Sequence, residues 1–147
     1  MHCRRRNCSL PPVPPAVTGL DTNILMRYIV QDDVIQTRKV AALLEHQLME
    51  ADPGFVSLVT IAETVWVLSR VYGFSEEQVA DAIERILGTE SITVQNRQEV
   101  YLAMLTLRRG IGSFADALIA ALGVWAGCDR TLTFDRKAGR ISGFELV

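Results

Sequence analysis

AVTGLDTNILMRYI, residues 16–29, decides how this chain is read. Ala16, Val17 and Leu20 form an apolar approach that reads as a short buried strand over 16–21. Ile24, Leu25, Tyr28 and Ile29 then follow at helical spacing. Asp21 stands at the handover, and two readings are open there. Asp, Thr and Asn all accept hydrogen bonds from the orphan N–H groups of a first helical turn, so Asp21 can be a cap. It can also face a ligand, because open parallel sheets bind ligands at the carboxyl ends of their strands.

Working outward, the pattern alternates. After a helix over 23–30, QDD (31–33) breaks the pattern, and Val34, Val40, Leu43, Leu44 and Leu48 carry an apolar face to about residue 50. ADPG (51–54) is turn chemistry, followed by a strand at Phe55–Leu58 and a helix from Thr60 to about Tyr72, with Gly73 as its stop. Ser75-Glu76-Glu77-Gln78 is a capping-box sequence that opens the next helix, which Gly88 ends. A strand at 92–94, a helix at about 97–109, a very apolar helix at 114–126, a strand at 131–134 and an edge strand at 144–147 complete the order. Strands alternating with helices imply an α/β domain with a mostly parallel sheet flanked by helices.

The 147 residues are enough for one domain with a core of its own, and 49% hydrophobic with 22% charged residues is an ordinary globular balance. A net charge of −2 excludes nucleic-acid binding by bulk positive field alone. It leaves room for an enzyme that meets nucleic acid through bound cations. Three widely spaced cysteines, Cys3, Cys8 and Cys128, make no disulfide framework and fit no zinc spacing together with His2, so a cytoplasmic location is expected. No apolar run has the length of a membrane span, and no membrane association is expected. Residues 1–16, with an Arg triplet and Pro11, Pro12, Pro14 and Pro15, read as a disordered proline-rich extension; 17–147 read as the folded domain.

Asp135 closes the strand at 131–134 as Asp21 closes the first. Along a parallel sheet both carboxylates fall on one edge. Glu63, in SLVTIAETVWVLSR, and Asp116, in GSFADALIAALGVW, are charges near the starts of otherwise apolar helices. Such a charge must be paired, bound to a metal or turned to a cleft. The helix macrodipole also favours an acid in a first turn, and Arg70 lies seven residues beyond Glu63 on the same face, so a purely structural reading stays open for each acid. Four carboxylates together require a counterion, and an oxygen-only donor set without His or Cys points to Mg²⁺ or Mn²⁺ rather than zinc. Phosphoryl transfer by a metal-activated water suits such a site.

GLDTNILMRYIVQDD (19–33), SLVTIAETVWVLSR (57–70), FADALIAALGVWAGCD (114–129) and TLTFDRKAGRISGFELV (131–147) together resemble the PIN-domain family, most closely the VapC-type toxins of bacterial toxin–antitoxin pairs. The resemblance implies a PIN-like three-layer α/β fold with a central, mostly parallel sheet of four to five strands. It implies a metal-dependent endoribonuclease in which Asp21, Glu63, Asp116 and Asp135 form the catalytic, Mg²⁺- or Mn²⁺-binding cluster. It also implies an RNA substrate, a small antitoxin as protein partner, and a homodimer. The position matching Ser113 is often acidic in that family, and here it is not.

Thr22, Asn23 and Thr133 are placed either to orient Asp21 or Asp135 or to cap. Arg108, Arg109, Arg130, Arg136, Lys137 and Arg140 are candidates for phosphate contacts, with Arg136 and Lys137 foremost because they follow Asp135. Trp66 and Trp125 read as core or dimer interface, and His46 as a surface residue. The alternatives are a non-catalytic PIN-like binding module or another Mg-dependent phosphohydrolase. A phosphatase with an aspartyl nucleophile would show DxD after the first strand, where this chain has DTN.

Overall fold

The computed structural model describes residues 18–147, so the proline-rich segment 1–16 lies outside the described residues. The described chain falls into two compact units, 18–97 and Gln98–Val147.

In the first unit, β1 (Thr18–Gly19), β2 (Gly54–Val56) and β3 (Ile92–Val94) pair in that order, all parallel. The register sets Gly19 opposite Phe55 and Val56 opposite Val94, and Leu20 N–H extends the β1 pairing by donating to Phe55 O at 2.8 Å. Gly54 is required by crowding rather than by dihedral freedom. A Cβ there would stand 2.6 Å from Leu20 Cδ1 and 2.9 Å from Leu48 Cδ1. Helices connect the strands: α1 (Thr22–Ile29), α2 (Val34–Ala42) with a π-helical turn at Leu43–Gln47, α3 (Leu58–Arg70) and α4 (Glu76–Leu87). Leu25, Val56, Ile61, Leu68, Val79, Ile83 and Ile86 are fully buried. Each such Ile or Leu contributes about 1.5–3 kcal/mol by leaving water. The capping box is present in full, with Ser75 Oγ accepting from Gln78 N–H and Gln78 Oε1 accepting from Ser75 N–H.

Several expectations need correction. β1 is exposed at Thr18 and Gly19 rather than buried, and β2 is Gly54–Val56 rather than Phe55–Leu58. The helix after β2 starts at Leu58, not Thr60; its N-cap is Ser57, whose hydroxyl accepts from Thr60 N–H at 3.2 Å. Leu58 N–H, an orphan by position, donates to Gln95 Oε1 at 3.0 Å, and this contact from beyond β3 supports the earlier start. Val34 is exposed rather than part of the α2 apolar face, whose buried positions are Val40, Leu44 and Leu48.

The loop after α1 is tied by charge. Arg27 donates to Asp32 Oδ1 and to Gln36 Oε1, both at 2.5 Å, and Tyr72 O–H donates to Asp32 Oδ2 at 2.9 Å. The Tyr72 hydrogen bond, joined by the Arg27 contact and opposed by burial, holds the Asp32 carboxyl below its usual range. Burial works against the charge of Arg27, but Asp32 and Tyr72 outweigh it and raise its pKa.

In the second unit, α5 (Arg97–Arg108) buries Val100, Ala103, Met104 and Leu107, the i, i+3, i+4, i+7 stripe of an amphipathic helix. Then come α6 (Phe114–Trp125), β4 (Thr131–Thr133), a 3₁₀ turn at Ala138–Arg140 and β5 (Phe144–Leu146), which pairs parallel to β4. Gly127, at φ 88, turns the chain back after α6. Gly123 is where α6 and β4 come closest, since a Cβ would stand 2.5 Å from Thr131 Oγ1. The α/β class with parallel strands and flanking helices is as expected, the five strands forming a set of three and a pair.

Candidate active site

Asp21 follows β1 and precedes α1, so it lies at the carboxyl edge of the three-stranded sheet. It occupies the N-cap position with extended dihedrals, φ −85 and ψ 163, yet its side chain makes no capping hydrogen bond. Neither Thr22 nor Asn23 caps in its place. Asn23 Nδ2 donates instead to Asp21 Oδ2 at 3.4 Å, and Thr22 Oγ1 donates to Glu63 Oε2 at 2.7 Å. Thr22 is 5% exposed, so this hydroxyl is fixed by packing and sets one oxygen of Glu63. Asp21 and Glu63, 42 positions apart in the chain, are thereby supported by neighbouring residues of one short helix start.

The structural readings of Glu63 fail on this geometry. With α3 beginning at Leu58, no acid lies in its first turn, which removes the macrodipole argument. Glu63 forms no ion pair with Arg70 among the described residues. An exposed carboxylate with one oxygen held and the other open remains.

In the second unit, Asp116 is in the first turn of α6, where its N–H donates to the N-cap Ser113 Oγ at 3.1 Å. Ser113, the position expected to be acidic in relatives, therefore serves as a helix cap. The Asp116 carboxylate is half-buried, with no hydrogen bond or ion pair among the described residues. Asp135 follows β4, and its Oδ1 accepts from Lys137 N–H at 2.7 Å and Ala138 N–H at 3.4 Å. Thr133 Oγ1 accepts from Asp135 N–H at 3.0 Å. This small turn leaves Asp135 Oδ2 open. From the close approach of Gly123 and Thr131, α6 runs about 10 Å back to Asp116. From the same point β4 runs about 13 Å on to Asp135. The two acids therefore fall at the same end of this unit.

Each unit thus supplies two acids. Among the described residues, no group of three or more His, Cys, Asp or Glu gathers in a way that could hold a metal ion. In each unit the donor chemistry suits a hard divalent cation: two carboxylates, each with at least one oxygen unengaged. Arg136 and Lys137 are exposed beside Asp135, whereas Arg130 is engaged by Glu145 at 2.9 Å. Arg108 lies 3.8 Å from Met104 Sδ. His46 is exposed. Trp66 and Trp125 are 60% and 39% exposed, which removes the core reading for both. Ser57 and Gln95, which fix the start of the Glu63 helix, are the positioning residues that local sequence patterns missed.

The family model described as PIN domain matches residues 19–143, a stretch that contains all four acids. The chain is also similar to a VapC ribonuclease of Aquifex aeolicus (strain VF5), 23% identical over 129 residues, covering 87% of this chain and 93% of that protein.

Proposed function

Because this chain belongs to the PIN-domain family, we propose that it is a metal-dependent endoribonuclease, with Asp21, Glu63, Asp116 and Asp135 holding Mg²⁺ or Mn²⁺. The observation that carries this reading is that all four acids lie in the matched stretch and none is neutralised by an ion pair among the described residues. The similarity to a VapC ribonuclease supports RNA as the substrate. We propose further that the chain is the toxin of a toxin–antitoxin pair, acting in the cytoplasm as a homodimer and restrained by a small antitoxin. No helix of the described residues is long and apolar enough to cross a membrane.

The bound cation would supply positive charge to phosphate oxygens and lower the pKa of a bound water. The chain's own residues do the rest. Asn23 makes only a long, exposed contact to Asp21, while Thr22 fixes the orientation of Glu63, so that carboxylate does not have to be ordered when RNA arrives. The backbone N–H groups of Lys137 and Ala138 hold Asp135 in the same way. Arg136 and Lys137 meet the RNA backbone and position it without reading bases.

Total RNA incubated with the purified protein and Mg²⁺ tests the proposal. Cleavage is expected, is expected to stop with EDTA, and is expected to return with added Mg²⁺ or Mn²⁺. Cleavage that persists undiminished in EDTA would overturn the metal assignment.

A further inference from the structure

A second concave site lies wholly within the first unit, a cavity of ≈ 300 Å³ that none of the four acids lines. Three polar residues are buried among the described residues: Thr22, Thr64 and Ser91. Thr22 donates to Glu63, and Thr64 Oγ1 donates to Thr60 O at 2.7 Å. Ser91, 8% exposed and lining the cavity, has no hydrogen-bond partner for its hydroxyl among the described residues. Thr37 Oγ1, from the same wall, is shut off from solvent and also lacks a partner. The Ser91 hydroxyl, unlike Thr37 Oγ1, is not closed off from solvent, so it opens on the cavity and is free to bond a ligand there.

The charge at the site is equally well prepared. The Arg85 guanidinium lies 4.3 Å above the Tyr28 ring centroid and forms no ion pair among the described residues. That ring is fixed in turn: Tyr28 Oη and Thr89 Oγ1 share a hydrogen bond at 2.9 Å, and Thr89 Oγ1 donates to Arg85 O at 2.8 Å. Val40 and Leu44 add a buried apolar wall. Gln31, a non-glycine residue at φ 57, stands at the rim, and Leu44 comes from the π-helical turn; both are backbone features that cluster at functional sites. Glu45 also lines the site, 3.8 Å from His46 Nε2, so a second negative charge on the ligand would meet a carboxylate.

We infer that this cavity binds a small organic monoanion, its carboxylate held by Arg85 and the Ser91 hydroxyl and its short apolar body lying against Val40 and Leu44. The site is separate from RNA cleavage and does not rest on the nuclease reading.

An NMR titration of the full ¹⁵N-labelled chain with butyrate, inorganic phosphate and butylamine tests it. Butyrate is expected to give saturable shifts at the amides of Ser91, Thr89 and Leu44, phosphate weaker ones, and butylamine none. Arg85→Met, an exposed substitution that leaves the core untouched, is expected to weaken butyrate at least tenfold, and Ser91→Ala, which removes the hydroxyl without adding bulk, to weaken it several-fold. Butyrate shifts that fail to saturate, that survive Arg85→Met unchanged, or that butylamine reproduces would overturn the site. Phosphate binding as tightly as butyrate would overturn the monoanion assignment.

Discussion

Glu63 in the first unit and Asp135 in the second are both exposed carboxylates with one oxygen engaged, yet they are held by opposite means. Glu63 takes its hydrogen bond from the side chain of Thr22, 41 residues away, on a different helix. Asp135 takes its bonds from the backbone of Lys137 and Ala138, within its own turn. The first depends on the packing of α1 against α3, the second on local chain geometry alone. Orientation that depends on packing can be lost through a residue that is not acidic at all. Orientation by a local turn is lost only by changing the acid or breaking the turn.

The comparison breaks most visibly at Asp116, which has neither form of support. Asp116→Asn is expected to lower RNA cleavage more than about a hundredfold, beyond the effect usual for outer hydrogen-bonding partners. Its melting temperature should fall only slightly, because the carboxylate makes no hydrogen bond or ion pair among the described residues and loses only its interaction with the α6 dipole; a variant that still cleaves at the parent rate breaks the ligand assignment. At Asp135 two substitutions separate the local turn from the ligand. Asp135→Asn keeps a carbonyl oxygen for the Lys137 and Ala138 N–H groups and should lose cleavage with little change in stability. Asp135→Ala should lose cleavage and also about 1 kcal/mol in urea unfolding. Equal stability of the two would show that the turn does not need the side chain.

The packing-dependent arrangement is tested at Thr22. Thr22→Val preserves the buried shape and removes the hydroxyl, so cleavage or metal affinity should fall about 10–100-fold. Thr22→Ser should restore most of it, and if Val behaves like Ser the hydrogen bond to Glu63 is not orienting anything. The smallest expected effect lies away from the acids, at Asp32. Its carboxyl pKa is lowered on folding, first by Tyr72, so its contribution is present above the unfolded value of about 3.9 and is lost as pH falls through the lower folded value. Melting temperatures measured from pH 6 down to pH 3 should drop slightly less for Asp32→Asn than for the parent. An identical slope would remove Asp32 from the acid limb.

The same contrast explains what was legible in the sequence. Features settled by neighbours in the chain could be read directly. Ser75 and Gln78 form the capping box their spacing predicts, and Gly88 ends α4 as expected. Asp21 and Asp135 follow strands as expected, although β1 is exposed at Thr18 and Gly19 rather than a buried apolar strand. Features settled at a distance could not be read. Ser57 and Thr60 are both plausible caps, and the choice of Ser57 depends on Gln95, 37 residues beyond the N–H it satisfies. Thr22 looked like a helix-starting residue because its hydroxyl's actual partner, Glu63, belongs to another helix. The unpartnered Ser91 hydroxyl left no local pattern at all; only burial and the empty space beside it make it conspicuous.

The bond between Leu58 N–H and Gln95 Oε1 has a consequence in time as well as in space. A chain made from its N-terminus completes α3 in sequence long before Gln95 exists. Until then the first N–H of that helix lacks this partner, and the helix that carries Glu63 is free to fray at its start. Docking of β3 beside β2 brings Gln95 into place, with its own N–H donating to Val56 O at 2.9 Å, and the helix start then closes. The start of the helix that carries Glu63 is therefore completed by a residue just past the last strand of the first sheet.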